Sequence, residues 1–176
     1  SWSLSSRPKE LGRVYAQGSE DALGYQNGFD RAHLNWYTID PIFYSGQRPG
    51  GVSDDDISDL YTRRIFIDEL FPQVDLVTGQ YSVINSLDLV YNPSERGPYN
   101  YQDGAEDGIL ETPQNSWAGI SRQLTSTDFE QANVEYIEFW LMDPFLNNPS
   151  NPGGKLVINL GNISEIFIKD GKKQYE

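Results

Sequence analysis

The sequence predicts a mainly-β fold, a β-sandwich with one short α-helix, and three observations lead there. Sixteen glycines and ten prolines fall between apolar stretches and cut the chain into many short elements. Most of those stretches are rich in aromatic and β-branched residues and are of strand length. Only one stretch has clear helical spacing, and strands separated by turns with a single helix suit a sandwich.

The elements follow in chain order. Arg31–Phe43 is the first candidate strand, apolar on both sides through Leu34, Trp36 and Ile39. Pro41 has no N–H to give a ladder, so the strand should bend or reach a sheet edge there. Ser53 with Asp56 forms a capping box, after which Ile57, Leu60, Tyr61 and Ile65 recur at helical spacing until Pro72 stops the chain. Asp54, Asp55 and Asp56 in the first turn complement the positive end of the helix dipole. Ser82–Tyr91 and Ala118–Leu124 are further strands, and a short helical turn is expected after Thr125, with Asp128 three positions on. The clearest strand is Val134–Met142. Ile137, Phe139 and Leu141 point one way and Tyr136, Trp140 and Met142 the other, so it should lie centrally with both faces covered. Trp140→Ala is then expected to cost about 3–5 kcal/mol. Asn147–Gly154 reads as a connection, and Lys155–Leu160 as a last strand.

At 176 residues and 20.0 kDa, the chain suits one soluble domain spanning 1–176. Its 26 acidic and 13 basic side chains leave a net charge of −13, which repels phosphate backbones and anionic lipid. Nucleic acid is therefore not an expected partner. The purely apolar run Phe139–Met142 is far too short for a membrane-crossing helix. Without cysteine there is no disulfide framework, thiol nucleophile or thiolate metal site. The chain opens at Ser1-Trp2-Ser3-Leu4 and reads as a piece of a longer protein.

Candidate chemistry is sparse. The single histidine, His33, lies inside a predicted strand, and a packed or edge imidazole is the preferred reading over a triad base or a zinc ligand. Glu135 with Glu138, or Glu111 with Asp128, are acids of the kind a glycosidase pairs, but acidic residues are too abundant for such a pair to be specific. No cofactor is implied. Asp103, Glu106 and Asp107 sit on a glycine-punctuated loop and are weak calcium candidates; Gly104 and Gly108 already account for that loop as turn chemistry, so no metal is expected. Trp36, Trp117 and Trp140 all fall in predicted strands, which favours core packing over a sugar-stacking platform.

Longer blocks are more specific. WYTIDPIFY (36–44), YTRRIFIDELFP (61–72), ERGPYNY (95–101), NSWAGISRQLTSTDFE (115–130) and NVEYIEFWLMDPF (133–145) occur in this order, and GNISEIFIKDGKKQYE closes the chain. Together they resemble a segment of the SprA/Sov family, the giant outer-membrane translocons of the Bacteroidetes type IX secretion system, linked to gliding motility. The resemblance covers nearly the whole chain. It implies a soluble domain inserted in a very large β-barrel that exports folded cargo, placed in the cell envelope on the extracellular or periplasmic side of the outer membrane. Its implied partners are the rest of the barrel, a PorV-like shuttle protein and a plug protein. The turn TSTDFEQAN running into EYIEFWLM is also similar to jelly-roll domains of the galactose-binding or carbohydrate-binding-module type.

These readings lead to a non-enzymatic structural and interaction domain, with a glycan-binding jelly-roll module as the alternative and a hydrolase last. In the ERGPYNY block, Gly97 and Pro98 favour a defined turn that would hold Arg96, Tyr99 and Tyr101 in fixed directions for partner contact. The competing expectation is that Arg96 pairs with a nearby carboxylate and the tyrosines pack locally.

Overall fold

A computed structural model describes residues 1–7, 24–77, 79, 82–125, 128–130 and 133–161. The fold is mainly β, with antiparallel two-stranded sheets and two short helices among the described residues. Two compact units divide the chain: His33–Asn92, and Ser1–Ala32 with Pro93–Glu176. β2 (Ala32–Tyr37) and β5 (Asp88–Arg96) form one of the two-stranded sheets.

In the unit Ser1–Ala32 with Pro93–Glu176, β1 (Ser3–Leu4) pairs antiparallel with β6 (Ile120–Ser121), Ser3 opposite Ser121 and Leu4 opposite Ile120. The carboxyl half of β5 gains a second neighbour, since Arg96 N donates to Gly108 O at 2.9 Å and Leu110 N to Ser94 O at 2.9 Å. Pro93, with no N–H, serves only as acceptor, taking the Ser116 hydroxyl at 2.7 Å. The small apolar core here consists of Ala32, Ala105 and Leu110, with Trp117 also buried.

In the unit His33–Asn92, β3 (Ile65–Phe66) pairs antiparallel with β4 (Val83–Ile84). Leu34 is buried and Trp36 half-buried, while Asn35 and Tyr37 face water, so β2 buries one face and not two. The strand ends before Pro41, which opens a 3₁₀ turn (Pro41–Tyr44) capped by the Asp40 carboxylate on Ile42 N at 2.8 Å. The predicted capping box is present: Ser53 Oγ accepts from Asp56 N at 3.1 Å, and Asp56 Oδ2 accepts from Ser53 N at 2.7 Å. The Ser53 amide and, after it, the Ser53 hydroxyl donate to the Asp56 carboxylate and hold it below its ordinary pKa.

The single helix expected from Ser53 to Pro72 is instead two short ones, α1 (Asp54–Ser58) and α2 (Ile67–Leu70). Asp59 ends the first, its carboxylate accepting from Tyr61 N at 2.9 Å and so turning the chain out of the helix. Arg63 Nη1 and Nη2 then donate to Glu69 Oε1 and Oε2 at 3.0 and 2.9 Å, spanning the break.

Four further strand expectations change. Ser82–Tyr91 becomes β4 and β5, interrupted at 85–87, and Ala118–Leu124 contracts to β6. Val134–Met142 and Lys155–Leu160 run without helix, turn or bend, yet neither joins a ladder among the described residues. Val134–Met142 is also not a covered strand: Tyr136 is 78% and Trp140 68% exposed. Apolar alternation makes a segment fit for a sheet, but among the described residues no strand pairs with this one, and its side chains stay largely in water. The turn expected after Thr125 falls partly on residues outside the described set; Phe129 and Glu130 turn the chain, with Val134 N donating to Phe129 O at 2.9 Å. No helix among the described residues is long and apolar enough to cross a membrane.

Candidate functional site

A network of buried polar groups lies where three loops meet within the unit containing β6: 27–32, 97–102 and 115–117. Its hub is the backbone of Arg31. The Arg31 carbonyl accepts from Gly97 N at 2.9 Å and from Asn100 Nδ2 at 2.9 Å, which satisfies both lone pairs. Asn100, nearly fully buried, also donates to Gln102 Oε1 at 3.1 Å, and its own carbonyl oxygen takes Gln102 N at 3.1 Å. Gln102 Oε1 in turn receives Asp30 N at 2.6 Å. On the other side, Ala32 N donates to Trp117 O at 2.8 Å and Trp117 N to Asp30 O at 3.0 Å, a parallel bridge of Arg31 with Trp117.

Two glycines permit this approach. A Cβ on Gly97 would lie 2.3 Å from Ala32 O, and one on Gly28 would lie 2.5 Å from Tyr99 O; both obstacles are backbone and cannot swing aside. Against this frame, the buried Arg31 guanidinium stacks 4.5 Å from the Trp117 ring centroid, with Arg7 at 5.8 Å. Trp117 Nε1 donates to Phe29 O at 2.8 Å, and Arg7 Nη1 donates to the same carbonyl at 3.2 Å. Burial brings the Arg31 pKa down to about 10, opposed by the nearby Tyr99 phenol, so the group stays cationic at neutral pH.

This frame displays the predicted contact residues. Pro98 and Tyr99 form the turn, and Tyr99 adopts φ +57°, a left-handed conformation costly for a bulky residue. Tyr99 is 42% and Tyr101 62% exposed, on either side of buried Asn100. Arg96 is exposed but engaged within the chain, Nη1 donating to Ala105 O at 3.0 Å. The tyrosines thus face outward while the arginine braces the next loop.

The acidic trio is not drawn together. Glu106 Oε1 accepts from Gly104 N at 3.1 Å, Asp107 Oδ1 accepts from Ile109 N at 3.0 Å, and Asp103 is exposed. Glu106's own amide and that of Gly104 hold its carboxyl below its ordinary pKa. Among the described residues, no group of three His, Asp or Glu side chains is placed to hold a metal ion. His33 is half-buried on β2, and Glu111, Asp128, Glu135 and Glu138 are all exposed.

Sequence reasoning singled out the displayed residues but missed those that hold them: Asp30, Arg31, Asn100 and Gln102. Asn100 and Arg31 are 69 positions apart, beyond any local pattern. The available signal was a polar residue between two tyrosines directly after a Gly-Pro turn. No known protein-family model matches the chain, and no curated protein matches it.

Proposed function

We propose that this chain is a non-enzymatic structural and interaction domain of a type IX secretion outer-membrane translocon, serving protein export and gliding motility from the cell envelope. The in-order blocks that resemble the SprA/Sov family motivate the reading. The observation that carries it is Tyr99, held at positive φ with its ring half in water beside exposed Tyr101. Strained, over-determined backbone concentrates at functional positions, and two rigidly presented tyrosines suit protein contact because they lose little side-chain entropy on binding. The partners are the rest of the barrel, a PorV-like shuttle and a plug protein. A side-chain-resolution map of the whole assembly tests this reading. Tyr99 and Tyr101 are expected against one of those partners; a loop facing solvent far from all of them would sink the proposal.

A second reading, a glycan-binding jelly-roll module, is favoured by the exposure of Tyr136 and Trp140, four positions apart on a straight run and so on one side of an extended chain. Calorimetry against envelope and plant polysaccharides discriminates, since binding weaker than millimolar across the panel removes its support.

A further inference from the structure

The run 134–142 holds large apolar side chains in water on both of its faces. Val134, Tyr136, Ile137, Phe139, Trp140, Leu141 and Met142 are between 42% and 78% exposed. Three of them are aromatic, each able to bury ~150–250 Å², so the run as a whole offers on the order of 800 Å², about what one partner brings to a standard interface. The backbone is equally available: residues 135–139, 141 and 142 make no backbone hydrogen bond among the described residues. Beside the start of the run lies an open groove of about 370 Å³, walled by Phe129, Val134, Tyr136, Ile137 and Leu160, with Glu135 as its charged group.

Backbone groups in a straight row are satisfied most completely by another strand, which also covers alternate side chains. Charge selects which strand. Glu135 and Glu138 are both exposed and three positions apart, so each face of an extended run carries one carboxylate among apolar residues. A second copy is disfavoured: full antiparallel overlap puts Glu138 opposite itself, full parallel overlap does the same to Glu135 and Glu138, and each copy carries −13.

We propose that residues 134–142, with the adjoining groove, are an acceptor for an extended segment of a partner protein that is apolar on both faces and carries a Lys or Arg opposite each of Glu135 and Glu138. The proposal rests on residues other than the tyrosine loop and goes beyond the contact assigned to it.

The test is fluorescence or calorimetric titration of the whole chain with three capped nonapeptides. The first is TIVTKVIKT, whose lysines stand opposite both glutamates in antiparallel overlap; the second has glutamates in place of those lysines; the third is the lysine peptide N-methylated at alternate residues. The lysine peptide is expected to bind in the tens of micromolar, with the other two at least tenfold weaker. The double variant E135K/E138K, altered only at exposed positions, should invert the preference between the lysine and glutamate peptides. Y99A/Y101A should leave the titration unchanged, which separates this surface from the tyrosine loop. Equal affinity for lysine and glutamate peptides, or no binding of the lysine peptide below a millimolar, would overturn the proposal. So would concentration-dependent self-association abolished by Ile137→Lys, or displacement of the lysine peptide by an oligosaccharide.

Discussion

Two regions of the same unit invert the usual relation between polarity and burial. Around Arg31, the buried residues include the polar Asn27, Arg31 and Asn100 beside Ala32 and one indole, and nearly every interaction is a hydrogen bond to backbone or a cation over a ring. Along 134–142 the side chains are apolar and face water. The difference lies in where the backbone groups go. Loops 27–32, 97–102 and 115–117 satisfy one another's amides and carbonyls, so they can close together and bury even a guanidinium. Among the described residues, 135–139, 141 and 142 make no backbone hydrogen bond, and the hydrophobic effect, which has no direction, cannot supply one.

Substitutions can break this comparison from either side. The largest effect is expected at the indole shared by the two guanidinium groups: Trp117→Ala should destabilise the fold by about 3–5 kcal/mol in chemical denaturation, since it removes a buried aromatic and uncovers Arg31. Gly97→Ala should follow at about 1–3 kcal/mol, the overpacking range, because its methyl would meet the Ala32 carbonyl. Asn100→Ala should cost a similar 1–3 kcal/mol or so by leaving the Gln102 amide without its acceptor and the Arg31 carbonyl with one donor fewer. The smallest effect belongs to Trp140→Ala, within about 0.5 kcal/mol, as for an exposed site. A cost at Trp140 rivalling that at Trp117 would show that the run is covered after all and erase the contrast.

What could be read from the sequence divides along the same line. The capping box at Ser53 was legible because all of its partners lie within four residues. The strand expected over Arg31–Phe43 with a bend or sheet edge at Pro41 stops earlier, at Tyr37, and Pro41 opens a 3₁₀ turn instead. The Gly97-Pro98 turn was legible from its own two residues, whereas the sequence left open whether the tyrosines face outward or pack locally. Trp140 was misread because alternation reports what a strand would bury given neighbours, not whether neighbours exist. The helix break at Asp59 was hidden because an aspartate fits an acidic helix as well as it fits a cap. The two-residue strand β1 carries no pattern at all; it is defined only by partners more than a hundred positions away.

Hydrogen exchange on the unmodified chain tests the contrast most directly, because it reads the backbone groups on which the contrast rests. The amides of Ala32, Gly97 and Trp117 should be strongly protected, while those of residues 135–139 exchange close to the rate of an unstructured peptide. Protection of 135–139 matching that of Ala32 would contradict the account, since it would mean that the run already has a strand beside it.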